Sequence, residues 1–421
     1  MPAYILHIVN LLLWLIIAPS VVYVCFFAIV SLFKREERGE KREEREHPQP
    51  STFLLPPSTF LVLFPAYHED AVIVHSVSEF LKSDYPQDKF HVTVISDHME
   101  EATNNQLASL PITLLQPVFD KSSKAKALQY AIRNIEERGE RREERQTFDY
   151  VVILDADNVV RPDFLTRLNE VCQQGYQAIQ CHRCAKNSNN DIAVLDGVSE
   201  EINNTLFRRA HNVIGMSSAL IGSGMCFDYQ WFAAHVGLLN SAVEDRELEA
   251  ILMKENIYIR FENDIPVYDE KVSNSDNFQH QRLRWMNGQW QTLLLMLPYI
   301  PKAVITANIN YIDKTIQQAL IPRSILLMLT AFFSVIATLL PLLFPPPFPF
   351  HLHPFTLPLM WWGLFLLLCL SLVIAMPARL RSRAVFSRIA WLPRLVWRML
   401  SNITKMDRKN KDFLHTTHGT K

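Results

Sequence analysis

Charge is missing from long stretches of this 421-residue chain, and its overall balance is close to nil. Lys and Arg number 42 against 43 Asp and Glu, a net charge of −1. The basic surface that nucleic-acid binders present is therefore absent, and no nucleic-acid partner is expected. Residues 5–33 hold no Lys, Arg, Asp or Glu. That stretch exceeds the roughly 20 residues a helix needs to cross hydrocarbon. It lacks the basic start and small-residue cleavage site of a secretory signal, so an uncleaved transmembrane helix is expected. Cysteine is scarce, with six residues. Cys25 and Cys369 fall in apolar spans. Cys172, Cys181, Cys184 and Cys226 fall where a reducing compartment is expected, which argues against a disulfide framework. Cys181-His182-Arg183-Cys184 has no second ligand pair to complete a structural zinc site, and two buried or idle thiols are the simpler reading.

Two further spans are expected near the C-terminus, at about 324–344 after Arg323 and at about 355–376. The proline-rich loop between them, 345–354, has no Lys or Arg, whereas residues 378–421 hold eleven Lys and Arg against two Asp. By the positive-inside rule the tail is cytoplasmic and the loop outside. Three spans then place the N-terminus outside and residues 34 to about 323 in the cytoplasm. No span contains an acidic residue, which argues against an ion-coupled transporter. The expected organisation is a transmembrane helix at 1–33, a charged, Pro-rich linker at 34–59 and a cytoplasmic catalytic domain at 60–290. An interfacial helix region at 291–323, two transmembrane helices at 324–376 and a basic cytoplasmic tail at 377–421 follow.

Within 60–290 apolar runs alternate with helical spacing. LVLFP (61–65), FHVTVISD (90–97), a short run at 113–115 and YVVILDAD (150–157) have strand character, while 70–82 and 123–135 have helical spacing. This alternation predicts an α/β fold with a mostly parallel sheet and helices on both faces. Ligands bind at the C-terminal strand ends of such sheets, where Asp97, Asp155 and Asp157 stand. The charged segment EERGEKREERE (36–46) recurs as EERGERREERQ (136–146) and has the composition of a solvated helix extension or a disordered insert. Residues 290–300 are apolar on most faces but short, fitting a helix in the membrane interface. Residues 385–400 mix Arg388, Arg394 and Arg398 with Trp391 and Trp397, fitting either a leaflet-bound segment or a linker with snorkelling arginines.

Three motifs carry chemistry. LDADN (154–158) delivers two carboxylates, Asp155 and Asp157, to a loop on the same side of the chain. Hard oxygen donors there suit Mg²⁺ or Mn²⁺ shared with a diphosphate, although Asp and Asn also favour turns. VEDRELE (243–249) puts Glu244 and Asp245 before a helix-like stretch, as a general base or as helix-dipole partners. QRLRW (281–285) sets Arg282, Arg284 and Trp285 beside an apolar helix, where guanidinium groups match phosphate and Trp285 offers a stacking face. An interfacial Arg and Trp belt is the alternative. Lys124 and Lys126 open a helix and reach phosphate or solvent.

These residues resemble a family 2 glycosyltransferase of the membrane-embedded, inverting kind, the group of cellulose, chitin, hyaluronan and poly-N-acetylglucosamine synthases. PAYHED (65–70), Asp97, KAKAL (124–128), Asp155 and Asp157, Val243-Glu244-Asp245 and QRLRW match its motifs in order over about residues 60–290. The resemblance implies a GT-A fold and an integral inner-membrane protein with its catalytic domain in the cytoplasm. Asp97 and Lys124 would bind the nucleotide, and Asp155 and Asp157 would hold the metal and diphosphate. Asp245 would be the base. Gln281, Arg284 and Trp285 would contact the donor, with Trp285 also facing the acceptor. The Gly222-Ser223-Gly224 turn and Glu244 would line the acceptor site.

His98 stands where the family usually has Asp, Asn or Gly, and Val243 replaces the usual Thr. The expected reaction is transfer from a nucleotide-diphosphate sugar, a UDP-sugar first, to a hydroxyl of a growing polysaccharide or glycan. Membrane lipids and export or secretion subunits are the candidate partners. The rival readings are a single addition to a lipid-linked acceptor and a non-catalytic scaffold of a polysaccharide export complex.

Overall fold

The computed structural model describes residues 2–33, 56–141, 147–187, 190–241, 243–271, 275–343 and 356–388. The first copy of the charged repeat, residues 142–146 of the second, the 345–354 loop and residues 389–421 lie outside them.

Eight strands form one sheet: β1 (Phe60–Tyr67), β2 (Phe90–Asp97), β3 (Thr113–Leu115), β4 (Tyr150–Ile153), β5 (Val159–Val160), β6 (Ala178–Ala185), β7 (Met225–Asp228) and β8 (Ile259–Asp269). Their order is β3-β2-β1-β4-β7-β6-β8-β5. The first four pair in parallel, but β7 runs antiparallel to both β4 and β6, and β5 antiparallel to β8. Strands β6 and β8 pair in parallel as well, so four of the seven pairings are parallel and the sheet is mixed, with parallel pairing in the majority. The two antiparallel pairings of β7 arise because it runs directly from the Gly222–Gly224 turn back along β4. Strand β4 also stops at Ile153, short of the expected 157. Asn158 Oδ1 accepts from the Asp155 N–H at 2.9 Å and the Asn158 N–H bonds the Asp155 carbonyl at 3.0 Å, closing a turn.

The helices are α1 (Pro2–Val30), α2 (Ile73–Phe80), α3 (Glu101–Ala108), α4 (Lys124–Arg141), α5 (Phe164–Cys172), α6 (Asp191–Asn203), α7 (Ala210–Val213), α8 (Tyr229–His235), α9 (Glu244–Lys254), α10 (Ser275–Met296), α11 (Ile300–Ile305), α12 (Ile309–Ala319), α13 (Arg323–Leu343), α14 (Thr356–Ala375) and α15 (Arg383–Arg388). Two apolar cores flank the sheet. One, around Leu61, Ile153 and Phe227, packs under α4, α8 and α9; the other, around Phe60, Phe64 and Val152, packs under α2 and α5. Helix α4 carries the first part of the second charged repeat as an extension.

Among the described residues, two helices, over Ile8–Val30 and Leu357–Ala375, are each long and apolar enough to cross a membrane. That is one fewer than the sequence predicts. Helix α13 meets the same standard only jointly with α12, from which it is bent by 59°. Its apolar run begins at Arg323 and is interrupted by Thr330, Ser334 and Thr338, whose hydroxyls bond back to carbonyls one turn earlier. Residues 290–296 form no separate interfacial helix but continue α10, with Trp290, Leu294 and Leu295 exposed.

Helix α1 packs into the rest of the fold. Ile17, Val21, Val24 and Phe27 share a core with Val198, Ile202 and Leu206 and with Leu368 of α14. The Phe27 ring stacks on His211 of α7 with centroids 3.7 Å apart. Tyr23 donates to Asp313 of α12 at 2.7 Å, and its hydroxyl lies 3.0 Å from His211 Nε2. One turn of α1 is thus held at once by α7 and α12.

Candidate active site

The strand ends converge on a cavity of about 710 Å³, within the range of ligand sites. It is lined by Asp97 from β2, Asp155 and Asp157 from the turn after β4, and Lys124 from the start of α4. Gly222 lines it from the turn before β7. Glu244 and Asp245 come from the start of α9, and Gln281, Arg284 and Trp285 from α10. Residues from Asp97 to Trp285 meet here because three strand-end segments and helices α4, α9 and α10 reach the same cavity.

Lys124 is the hub. Its Nζ donates to Asp155 Oδ1 and to the Gly222 carbonyl, each at 2.5 Å, and lies 3.5 Å from Glu244 Oε1. Burial alone would lower its pKa; the Asp155 and Glu244 carboxylates outweigh that and raise it. Glu244 is 6 % exposed. Burial is the chief cause that pushes its carboxyl up to about 7, with Lys124 pulling the other way and Asp245 adding to the rise. Arg284 is pulled down by burial, against the attraction of Glu244 and Asp155.

Asp245 sits in the first turn of α9, where its Oδ1 accepts from the Arg246 N–H at 2.9 Å. Gly222 has φ of +72°, and a Cβ there would lie 3.6 Å from Asp245 Oδ2. Glycine thus gives both the left-handed turn and open approach to that oxygen. Ser223 and Gly224 do not line the cavity. Ser223 is buried and donates to Asn158 Oδ1, while Gly224 packs on Cys181 and Val267. They hold the turn in place, and Gly222 is the member that faces the cavity.

Asp157 is buried; its Oδ2 accepts from the Glu270 N–H at 2.7 Å and its Oδ1 from the Asn158 amide at 3.0 Å. Among the described residues no third His, Cys, Asp or Glu gathers closely with Asp155 and Asp157. The one such trio is His182, Cys184 and Glu201. There both ring nitrogens of His182 are engaged, Nδ1 by the Asn263 carbonyl at 2.8 Å and Nε2 by Glu201 at 3.1 Å. Burial opposes the protonated ring, but Cys184 and Glu201 outweigh it and push the pKa up to about 10. An imidazolium has no lone pair for an ion. Glu201 also accepts from Arg379, just past α14, at 2.6 Å. The trio therefore ties β6 and α6 to the end of a membrane-length helix, and Cys181 and Cys184 are buried free thiols.

Gln281 and Arg282 divide the QRLRW motif. Gln281 Oε1 is a buried acceptor with no partner among the described residues, and it opens on the cavity. Arg282 instead bonds Asp196 of α6 at 2.5 Å and lies 4.6 Å over the Trp285 ring, fixing that ring's orientation. Both family departures have local explanations. His98 takes a left-handed φ of +55° at the end of β2, and its Nδ1 lies 2.6 Å from Asp97 Oδ1. Histidine is among the non-glycine residues that tolerate that region. Val243 caps α9 without a side-chain bond; Glu247 accepts the N–H groups of Asn240 and Ser241 instead, at 2.9 and 3.0 Å.

Sequence reasoning missed Gln180. This fully buried side chain accepts from the Ile221 N–H at 2.9 Å and donates to the Ser223 carbonyl at 2.8 Å, fixing the Gly222 turn from β6. A polar residue in an otherwise apolar strand, AIQC, was the available signal. Glu249 acts alike on the same loop, accepting from the Leu220 N–H at 2.8 Å.

A mixed sheet that gathers carboxylates, a lysine and an arginine at its strand ends defines an α/β transferase site for a polyanionic donor. The family model for Glycosyl transferase family group 2 matches residues 150–401, and that for Glycosyl transferase family 2 matches residues 61–229. The chain belongs to this glycosyl transferase family 2 group, and it is a glycosyltransferase that uses a nucleotide-sugar donor.

Among solved structures, the mannosyltransferase PcManGT from Pyrobaculum calidifontis, in complex with GDP-Man and Mn²⁺, is similar in fold. It has 16 % identity and a TM-score of 0.51, over 87 % of this chain and 99 % of that one. S. aureus TarS (residues 1–349) matches at 13 % identity and a TM-score of 0.38, over 83 % and 89 % of the two chains. Glucosyl-3-phosphoglycerate synthase from Mycobacterium tuberculosis matches at 16 % and 0.36, over 54 % and 76 %. No curated protein sequence is significantly similar.

Proposed function

We propose that the chain is an inverting glycosyltransferase that works at the cytoplasmic face of the inner membrane, anchored there by its apolar helices. It moves a sugar from a UDP-type nucleotide diphosphate to an acceptor hydroxyl of a glycan. The observation that carries this reading is the approach of Asp245 Oδ2 to the open Gly222 turn, with Lys124 2.5 Å from Asp155 on the other side of that turn.

Asp245 takes the proton of the acceptor hydroxyl. The acceptor oxygen bonds to the anomeric carbon from the face opposite the nucleotide. The bond from that carbon to the phosphate oxygen breaks, and its electron pair leaves with the diphosphate. Lys124 and Arg284 offset the charge that develops there, an electrostatic contribution set in place before reaction. Asp97 binds the nucleotide. Gln281 offers its buried oxygen to a sugar hydroxyl, and Trp285 a stacking face to the acceptor. Asp155 and Asp157 would hold Mg²⁺ or Mn²⁺ through their hard carboxylate oxygens. Such an ion supplies Lewis-acid stabilisation of the leaving diphosphate.

The test is nucleotide diphosphate release by the full chain in nanodiscs, across a panel of nucleotide sugars with a membrane lipid extract. Asp245→Asn should lower transfer by roughly 10²–10⁴-fold while donor affinity stays near wild type. Wild-type turnover in that variant would remove Asp245 as the base.

A further inference from the structure

The cavity does not end at the carboxylates. Its wall also has an apolar part, with Val24 of α1, Val198 and Ile202 of α6, Leu327 of α13, Leu372 of α14 and Met376 just past that helix. Helices α1 and α14 are each of membrane length. One compartment thus runs from the reaction centre to a bed of hydrocarbon side chains between membrane helices.

Arg208, Arg282 and Arg323 line the same cavity. Arg208 pairs with Glu200 at 3.0 Å, and Arg282 with Asp196 at 2.5 Å. Arg323, at the start of α13, differs. Its Nη2 donates to the Ser199 carbonyl at 3.1 Å, to Ser199 Oγ at 3.3 Å and to Asn203 Oδ1 at 2.7 Å, all neutral oxygens. No carboxylate forms a salt bridge with it among the described residues. A guanidinium withdrawn from water is stabilised by an anion with matching geometry, and phosphate is such an anion. Base, sugar-stacking ring, cation and hydrocarbon thus line one cavity.

We infer that the acceptor is a membrane lipid that carries a phosphate between its hydrocarbon tail and its sugar-accepting end, and that Arg323 binds this phosphate. The inference rests on the transferase reading and names its acceptor class. The tail lies among Val24, Ile202, Leu327 and Leu372, and the phosphate meets Arg323. The hydroxyl-bearing end passes Trp285 to reach Asp245. A lipid of this kind enters sideways from the bilayer and needs no pore built from many spans.

Binding to the full chain in detergent separates this inference from the transferase reading, because it requires no turnover. Three probes are compared by native mass spectrometry: a polyprenyl phosphosugar, the alkyl glycoside of the same sugar with no phosphate, and the free sugar phosphate with no tail. The phosphate-bearing lipid should bind best. Arg323→Gln should weaken it by roughly ten- to a hundredfold, the value of one lost charged hydrogen-bond donor, without changing the alkyl glycoside. Arg323→Lys, which keeps the charge, should retain most of the preference and guards against a folding defect in the glutamine variant. Equal binding of the alkyl glycoside, or of the free sugar phosphate, would overturn the inference in the wild type alone. So would a water-soluble polymer formed with no transfer to the phosphate-bearing lipid, an outcome that would leave the transferase reading intact. Lipid binding without nucleotide release would do the reverse.

Discussion

Gly288→Ala tests how tightly the base is held against the donor residues. Gly288 lies on α10, one turn past QRLRW, and faces Val243, which precedes Glu244 and Asp245 directly. In an ordinary helix interior this substitution gains roughly 1 kcal/mol. Here the new methyl would stand 2.9 Å from Val243 Cγ2 and 3.2 Å from its Cβ, and would overlap Cγ1 outright. Val243 is β-branched and buried, so it cannot swing aside. Overpacking of this kind costs about 1–3 kcal/mol. The net loss of stability is then about 0–2 kcal/mol, too little to unfold the chain. The relief available is a shift of the α9 N-terminus away from α10, and with it of Asp245 away from Arg284 and Trp285. A displacement near 1 Å costs roughly a hundredfold in rate. We expect kcat for nucleotide release to fall roughly ten- to a hundredfold, with a small change in melting temperature. Val243→Ala in the same protein removes the colliding methyls and should restore most of the rate, a coupling that a double-mutant cycle reads directly. Wild-type kcat in Gly288→Ala, or no recovery in the double variant, would refute the reasoning.

Further outcomes follow from the charges in the cavity. Burial holds Glu244 neutral up to about pH 7; above that it ionises 3.5 Å from Lys124 and competes with the donor's diphosphate. KM for the donor should rise as pH passes 7, and Glu244→Gln should flatten that rise; an unchanged profile would remove Glu244 as its origin. For stability the sign is that of a raised carboxyl: the unfolded chain ionises first, near 4.5, so stability falls between about 4.5 and about 7. Chemical denaturation of Glu244→Gln across that window should lack this slope. Asp157→Ala should weaken donor binding in Mn²⁺ and leave little for EDTA to remove, measured by calorimetric titration. Wild-type donor binding and turnover indifferent to EDTA would remove the metal from the reading.

Much of the parallel half of the sheet was legible because its strands are local and apolar. Phe90–Asp97 and Thr113–Leu115 form with the expected bounds. The end of β4 was not legible, since Asn158 closes the turn with its side chain and no apolar pattern reports that. The mixed half, β7-β6-β8-β5, escaped for another reason. Strand β6 spells AIQCHRCA, with Gln180, His182 and Arg183 facing buried partners, so its sequence has neither alternation nor a continuous apolar run. The carboxylates of the site were visible as motifs, but the fixed geometry around them depends on partners far away in sequence. Gln180 and Gly222, or Lys124 and Asp155, become neighbours only once the sheet forms. Two sequence motifs also proved to divide their labour: in QRLRW, Arg282 steadies Trp285 and binds Asp196, and in the glycine turn only Gly222 lines the cavity.

The seat of helix α1 has a practical consequence for anyone seeking a water-soluble catalytic domain. Cutting the chain after residue 33 would remove more than an anchor. Asp313 would lose the Tyr23 hydroxyl, and His211 the stacked ring of Phe27. Val198, Ile202 and Leu206 would lose the neighbours that keep them from water. A fragment trimmed in this way exposes an oily face one helix away from the reaction centre, so its aggregation would say nothing about the catalytic residues. Replacing the outward-facing residues of α1, such as Leu11, Leu15 and Val22, keeps the inner face and is the sounder route to a soluble enzyme.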